Sequence, residues 1–104
     1  MKIIATQADG KTTITIDGDL LISAVAEAKE PLLAALATGR TIEVDLSKVG
    51  ECDTAGLQLL LMARASARAQ GQRFVATTQS ATFRAAALRA GIPATCFESL
   101  EGSR

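Results

Sequence analysis

The residues best placed to do chemistry sit together in one stretch, Gly50-Glu51-Cys52-Asp53-Thr54-Ala55-Gly56-Leu57. An acid and a hydroxyl stand side by side just ahead of a leucine-rich run that reads as a helix. At a helix start, a carboxylate or hydroxyl accepts hydrogen bonds from free backbone amides. Either Asp53 or Thr54 would serve as that cap, so capping alone needs only one of them. The Glu or Gln of a capping box is missing at the third helical position. A hydroxyl at this end of the helix dipole is also well placed to carry a phosphate, which free amides would hold. That group would add about −1.5 to −2 charges beside Asp53 and Glu51. Gly56 is costly for the helix, about 1 kcal/mol worse than Ala in an interior and less in a first turn. Two gains would offset it: close packing of the helix end on a sheet, or open access to the Thr54 hydroxyl.

Other chemistries find little support. There is no histidine, hence no Ser-His-Asp or Cys-His arrangement and no HExxH. Neither GxxxxGK[ST] nor GxGxxG occurs. Glu51 and Asp53 are a nearby pair of acids that could in principle do acid–base work, but such pairs are common in loops. No catalytic residue, cofactor or metal is expected. Cys52 and Cys96 make no disulfide framework and, without histidine, no zinc site. Cys52 reads as a small buried apolar residue rather than a reactive thiol. Formal net charge is zero and aromatics are limited to three Phe, which argues against nucleic acid. The charge is nevertheless uneven. Residues 1–53 hold nine acids and five bases, residues 54–104 two acids and six bases. The plain explanation is solvated helix faces. The sharper one is an acidic patch of Asp45, Glu51 and Asp53 that a partner recognises. The N-terminus does not read as a signal peptide, and no stretch approaches the ~20 apolar residues of a membrane helix. A soluble, cytoplasmic protein is expected.

The elements that must position the motif follow from the rest of the chain. With 104 residues, 48% of them apolar, it fits a single domain spanning 1–104. Residues 2–7 and 12–16 read as strands joined at Asp9-Gly10, a pair suited to a tight hairpin turn. A helix follows "DGDLLIS", with Ile22, Val25, Ala26, Lys29, Leu32, Leu33 and Leu36 as its stripe. Pro31 should kink or split it, and Gly39 should end it. Residues 41–47 alternate as a strand with one buried face. The motif then opens a helix over 54–70 that runs from apolar to polar, stopping at Gly71. A strand over 72–78 and a helix over 79–91 follow, the latter capped by Ser80 and built on Phe83, Ala86, Ala87 and Ala90. A short strand near Thr95–Phe97 and a stub of helix close the chain. The order predicts an α/β fold: a mixed four- to five-stranded sheet, antiparallel at first and then βαβ units, with helices mainly on one face.

The stretch "TIEVDLSKVGECDTAGLQLLLMARASARAQGQRFVATTQSATFRAAALRAGI" resembles the core of a STAS domain, and the match extends over about residues 17–92. Its most specific element is strand-Asp-Leu-Ser followed by D-[ST]-x-G-L opening a helix. That family includes bacterial anti-sigma factor antagonists and the cytoplasmic tails of sulfate transporters. The resemblance implies a non-enzymatic regulatory domain that binds a protein partner, with no nucleic acid and no membrane insertion. In the antagonist branch the hydroxyl after the motif acid is phosphorylated by a cognate anti-sigma kinase, a serine kinase-like ATPase; here that position is Thr54. Asp53 is the motif acid, Asp45 matches the acid ending the preceding strand, and Glu51, Ala55 and Gly56 complete the implied partner surface. The chain departs from the pattern with Thr where Ser is more usual, Cys52 before the acid and Gln58 in place of a second Gly. Similar D-T-x-G-L domains are small subunits of lipid-transport ABC complexes, bound to the ATPase subunit, or accompany chemosensory and two-component systems.

Overall fold

A computed structural model of the chain describes residues 1–97, excepting the side chains of Thr77, Ala94 and Thr95. It contains strands β1 (Lys2–Ala8), β2 (Lys11–Leu20), β3 (Thr41–Cys52) and β4 (Phe74–Gln79). The α-helices are α1 (Val25–Thr38), α2 (Thr54–Ala69) and α3 (Ala81–Arg89), with short 3-10 turns at Ile22–Ala24 and Ala94–Phe97. The strands form one sheet in the order β1-β2-β3-β4, β1 antiparallel to β2 and the other pairs parallel.

The Asp9-Gly10 hairpin forms as its sequence requires. Both residues have positive φ (55° and 73°), and Ala8 pairs with Lys11 across the turn. Beyond it, alternation puts Thr12, Ile14 and Ile16 of β2 and Ile42, Val44 and Leu46 of β3 in the core. Their neighbours, such as Thr13, Thr15, Glu43 and Asp45, are only half-buried. One sheet face therefore carries the helices and the other meets solvent. Phe83 of α3 is fully buried and meets Phe97 edge-on, ring centroids 5.7 Å apart. Gln72, buried before β4, donates to the carbonyl oxygens of Ala35 (3.2 Å) and Arg40 (2.6 Å), tying the exit of α1 to the sheet. Among the described residues no helix is long and apolar enough to cross a membrane.

Several expectations need correction. The buried stripe of α1 is Ala28, Leu32 and Ala35, flanked by Val25 and Leu36. Ala26 and Lys29 are exposed, as are Ile22 and Leu33. The helix presents its alanines inward because it lies close to its neighbours, and that leaves larger side chains outside. Pro31 does not split α1, which runs as one element from Val25 to Thr38. The carbonyl deprived of a partner is that of exposed Glu27, where water can replace the lost amide. Ala90 is exposed beyond the end of α3. The strand anticipated near Thr95–Phe97 is a 3-10 turn, so the described sheet has four strands. β2 and β3 are both longer than their alternation indicated, because irregular pairing between Thr15 and Leu20 carries them on together.

Candidate functional site

The three parallel strands end on one edge of the sheet, and the helix layer starts there. Leu20, the last residue of β2, pairs with Cys52, the last of β3. The 3-10 turn leading to α1 leaves from the first strand, and α2 leaves from the second. Ser80 begins α3 nearby: its hydroxyl donates to the Val49 carbonyl (2.8 Å) and accepts from the Phe83 amide (3.0 Å). In open α/β sheets, sites form at these carboxyl ends of parallel strands.

Asp53 is the N-cap of α2. Its Oδ1 accepts from the Gly56 amide at 3.0 Å. Its Oδ2 accepts from the Ile22 amide at 2.9 Å, at the start of the 3-10 turn in the β2–α1 connection. Its own amide donates to the Leu20 carbonyl at 3.3 Å. One side chain thus pins two helix entries together. The Gly56 amide, then that of Ile22, hold the carboxyl below the usual carboxylate range. A depressed folded value means that the ionised carboxylate stabilises the fold. The contribution is complete above the unfolded-state value, about 3.9, and disappears as pH falls through the folded one. Asp53→Asn is therefore expected to lower Tm at neutral pH and to flatten its fall between about pH 5 and the acid limit, as followed by circular dichroism. An unchanged acid limb in the variant would remove Asp53 from this role.

Thr54 is the first residue of α2 and is exposed; no described hydrogen bond uses its hydroxyl. Asp53, not Thr54, does the capping. Ala55 beside it is half-buried. Gly56 is buried, and a Cβ there would collide with the Leu20 carbonyl oxygen and lie 2.9 Å from Leu20 Cγ and 3.1 Å from Cys52 Sγ. Of the two gains considered for a glycine here, the geometry selects close packing on β2. Gly56 lies beneath the surface and sets the height of the helix; it does not present a contact of its own.

Cys52 is buried, and that burial, with the Asp53 charge adding to it, pushes its thiol up to about 11. It behaves as a packing residue. Glu51 is exposed at the same edge, and its amide donates to Asp19 Oδ1 at 2.9 Å. Asp19 was not foreseen as part of this junction; the only sequence trace of it is an acid flanking Gly18 at a strand end. Asp45 does not join the others. It lies on the open sheet face, where the Ser47 side chain and amide, with Lys48 nearby, lower its carboxyl below the usual range. Six residues of β3 stand between it and Cys52, a span of roughly 23 Å of strand. The expected acidic patch of Asp45, Glu51 and Asp53 is therefore two separate features.

The comparisons with known proteins agree with this geometry. A family model described as Mlab, STAS domain matches residues 4–94. The fold is similar to that of the anti-sigma factor antagonist SpoIIAA in its unphosphorylated form, with a TM-score of 0.74 at 19% identity, covering 98% of this chain and 91% of that one. It is similar to the phosphorylated form of SpoIIAA, the Bacillus cell fate determinant, with a TM-score of 0.70 at 19% identity and coverage of 98% and 95%. An anti-sigma factor antagonist from Mycobacterium paratuberculosis superposes with a TM-score of 0.74 at 18% identity, covering 86% of this chain and 77% of that one. No curated protein sequence matches the chain significantly. Identities this low speak for the fold alone, while the family model spans most of the sequence and meets the motif directly: the chain belongs to the STAS domain family.

Proposed function

We propose that this chain is a non-enzymatic, cytoplasmic partner-switching domain, a regulator of the anti-sigma factor antagonist type, and that Thr54 is its phosphorylation site. The partner is a serine kinase-like ATPase acting as an anti-sigma factor. It binds the unmodified surface formed by Glu51, Asp53, Thr54 and Ala55, above the buried Gly56. In the switch, the Thr54 hydroxyl oxygen attacks the γ-phosphorus of ATP held by the partner. The bond to ADP breaks and the hydroxyl proton passes to a base on the kinase. The added charge stands beside Asp53 and Glu51 and drives the partner off.

One observation carries this reading: Thr54 is exposed at the start of α2 while Asp53 alone performs the capping. A hydroxyl released from structural duty at a helix N-terminus is accessible to a kinase, and its phosphate would meet helix amides. The likeness to a protein described in both unphosphorylated and phosphorylated forms supports the same reading. A second reading is favoured by the residue type, Thr where the antagonists more usually have Ser. In it the domain is a non-phosphorylated subunit of a lipid-transport ABC complex or of a chemosensory or two-component assembly, and Thr54 is a contact.

The test is to incubate the purified chain with ATP and each histidine-kinase-like ATPase of its own genome, then map modified residues by mass spectrometry. Phosphate on Thr54, absent from Thr54→Ala, is the expected result. No phosphate with any kinase, together with a stable complex with a transporter ATPase subunit, would sink the switch in favour of the second reading.

A further inference from the structure

β1 is an outer strand of the sheet, and among the described residues nothing pairs with its far side. Natural edge strands are guarded by proline, a bulge, charges along the strand or a very short length. β1 has none of these. It runs for seven residues, its one charge is Lys2 at the start, and its pairing with β2 is continuous from Lys2 to Ala8. The irregular pairing in this sheet lies elsewhere, between β2 and β3 and between β3 and β4. The hairpin also fixes which backbone groups face outward. A two-residue turn makes its flanking residues, here Ala8 and Lys11, a hydrogen-bonded pair, and such pairs alternate along an antiparallel ladder. Lys2, Ile4, Thr6 and Ala8 therefore turn amide and carbonyl towards β2. Ile3, Ala5 and Gln7 turn theirs to the open edge.

We propose that a second copy of the chain occupies this edge, β1 antiparallel to β1 about a two-fold axis at Ala5, so that the two sheets become one. The strand is complementary to itself in that register. Ala5 meets Ala5 of the second copy and Ile3 meets its Gln7, each pair exchanging two hydrogen bonds. No like charges stand opposite one another. Lys2 falls opposite Ala8 of the second copy and beside its Asp9, and the same opposite-sign contact recurs at the other end of the ladder. Lys11, on the far side of Ala8, is already held by Glu43 at 3.2 Å. Ile4 is 49% exposed and pairs with Thr15 on the solvent face of the sheet. In the dimer it lies opposite Thr6 and diagonal to Ile4 of the second copy, so the two isoleucines cover each other. Such a contact is isologous and closes at two chains. Its axis stands perpendicular to the sheet, which keeps both helix layers on one side and sends the two Thr54 edges in opposite directions. One dimer thus presents two motif surfaces, neither blocking the other, and this holds whether or not Thr54 is phosphorylated.

The test is sedimentation of the purified chain over a concentration series, with melting curves by circular dichroism, for the wild type, Ala5→Pro and Ile4→Lys. Proline at residue 5 removes an amide that faces away from β2, a place where an edge strand admits it, so the fold is kept. It deletes the bonds at the two-fold axis and should raise the dimer dissociation constant roughly 100-fold. Ile4→Lys sets two positive charges near the axis on a half-exposed position and should raise it roughly 10-fold with little change in Tm. A wild-type dimer that both folded variants disperse supports the proposal. If Ala5→Pro does not fold, Ile4→Lys decides alone: folded and monomeric supports the edge, folded and dimeric overturns it. A wild type that stays monomeric at several hundred micromolar overturns it, as does a dimer that survives both substitutions. A monomeric wild type whose complex with an ATPase is lost in Ala5→Pro would give the edge to a strand of that partner and overturn the second copy.

Discussion

Thr54→Glu is expected to weaken binding of the kinase-like partner by roughly two orders of magnitude, the scale of a like charge set into an interface, with Tm nearly unchanged. The stability half follows from position. Thr54 is exposed, is the first residue of α2 and lends its hydroxyl to no described hydrogen bond. A carboxylate there faces the positive end of the helix dipole and is mildly favourable. Had Thr54 been the cap, its removal would cost about 1 kcal/mol, or roughly 4–8 °C in a domain this size. Asp53 performs that duty, so Thr54→Ala should melt with the wild type, bind like it and accept no phosphate. The binding half follows from charge. A glutamate adds a negative group next to Asp53 and Glu51, imitating part of a phosphate. Calorimetry of the three proteins against one purified partner, with melting curves alongside, checks both halves. Wild-type affinity in Thr54→Glu would remove charge from the mechanism, and a collapsed melting curve would return Thr54 to a structural role.

Much of this arrangement is written in local pattern. The Asp9-Gly10 turn, the alternation of Ile42, Val44 and Leu46, the Ser80 cap and the glycine stops at Gly39 and Gly71 depend on neighbours a few residues away. Each forms where its chemistry demands. The position of Thr54 at the first turn of a helix is of the same kind. The bonds that give the site its shape are not local. Asp53 reaches Ile22 and Asp19 reaches Glu51 across thirty-one and thirty-two residues, and no spacing rule announces such pairs. The phase of α1 was hidden for a related reason. Pattern favours large apolar residues for the core, whereas close helix packing selected Ala28 and Ala35 and turned Leu33 outward. A strand ending at residue 47 would group Asp45 with Glu51 and Asp53. The full strand, carried on by its pairing with β2, moves Asp45 away from the junction.

Gly56→Ala should be the most damaging single change at the site, although in an ordinary helix it would be stabilising. The helix-propensity gain is at most about 1 kcal/mol and smaller in a first turn. Against it stands a methyl group placed into the Leu20 carbonyl oxygen, with Leu20 Cγ at 2.9 Å and Cys52 Sγ at 3.1 Å. Overpacking typically costs 1–3 kcal/mol, at about the upper end where the obstacle is backbone. The Leu20 carbonyl is such an obstacle, since it also accepts from the Asp53 amide at the junction of β2 and β3. A net loss of about 2 kcal/mol lowers Tm by roughly 8–16 °C. Relief by moving α2 outward would stretch the Asp53–Gly56 cap and the Asp53–Ile22 bond, so partner binding should fail along with stability. Cys52→Ala in the same chain removes the sulfur contact and leaves the carbonyl, and should not restore Tm. Full restoration would shift the obstacle from backbone to sulfur. A Gly56→Ala protein that melts at or above the wild-type temperature would mean the glycine serves access to Thr54, and the close approach of α2 to β2 would no longer explain it.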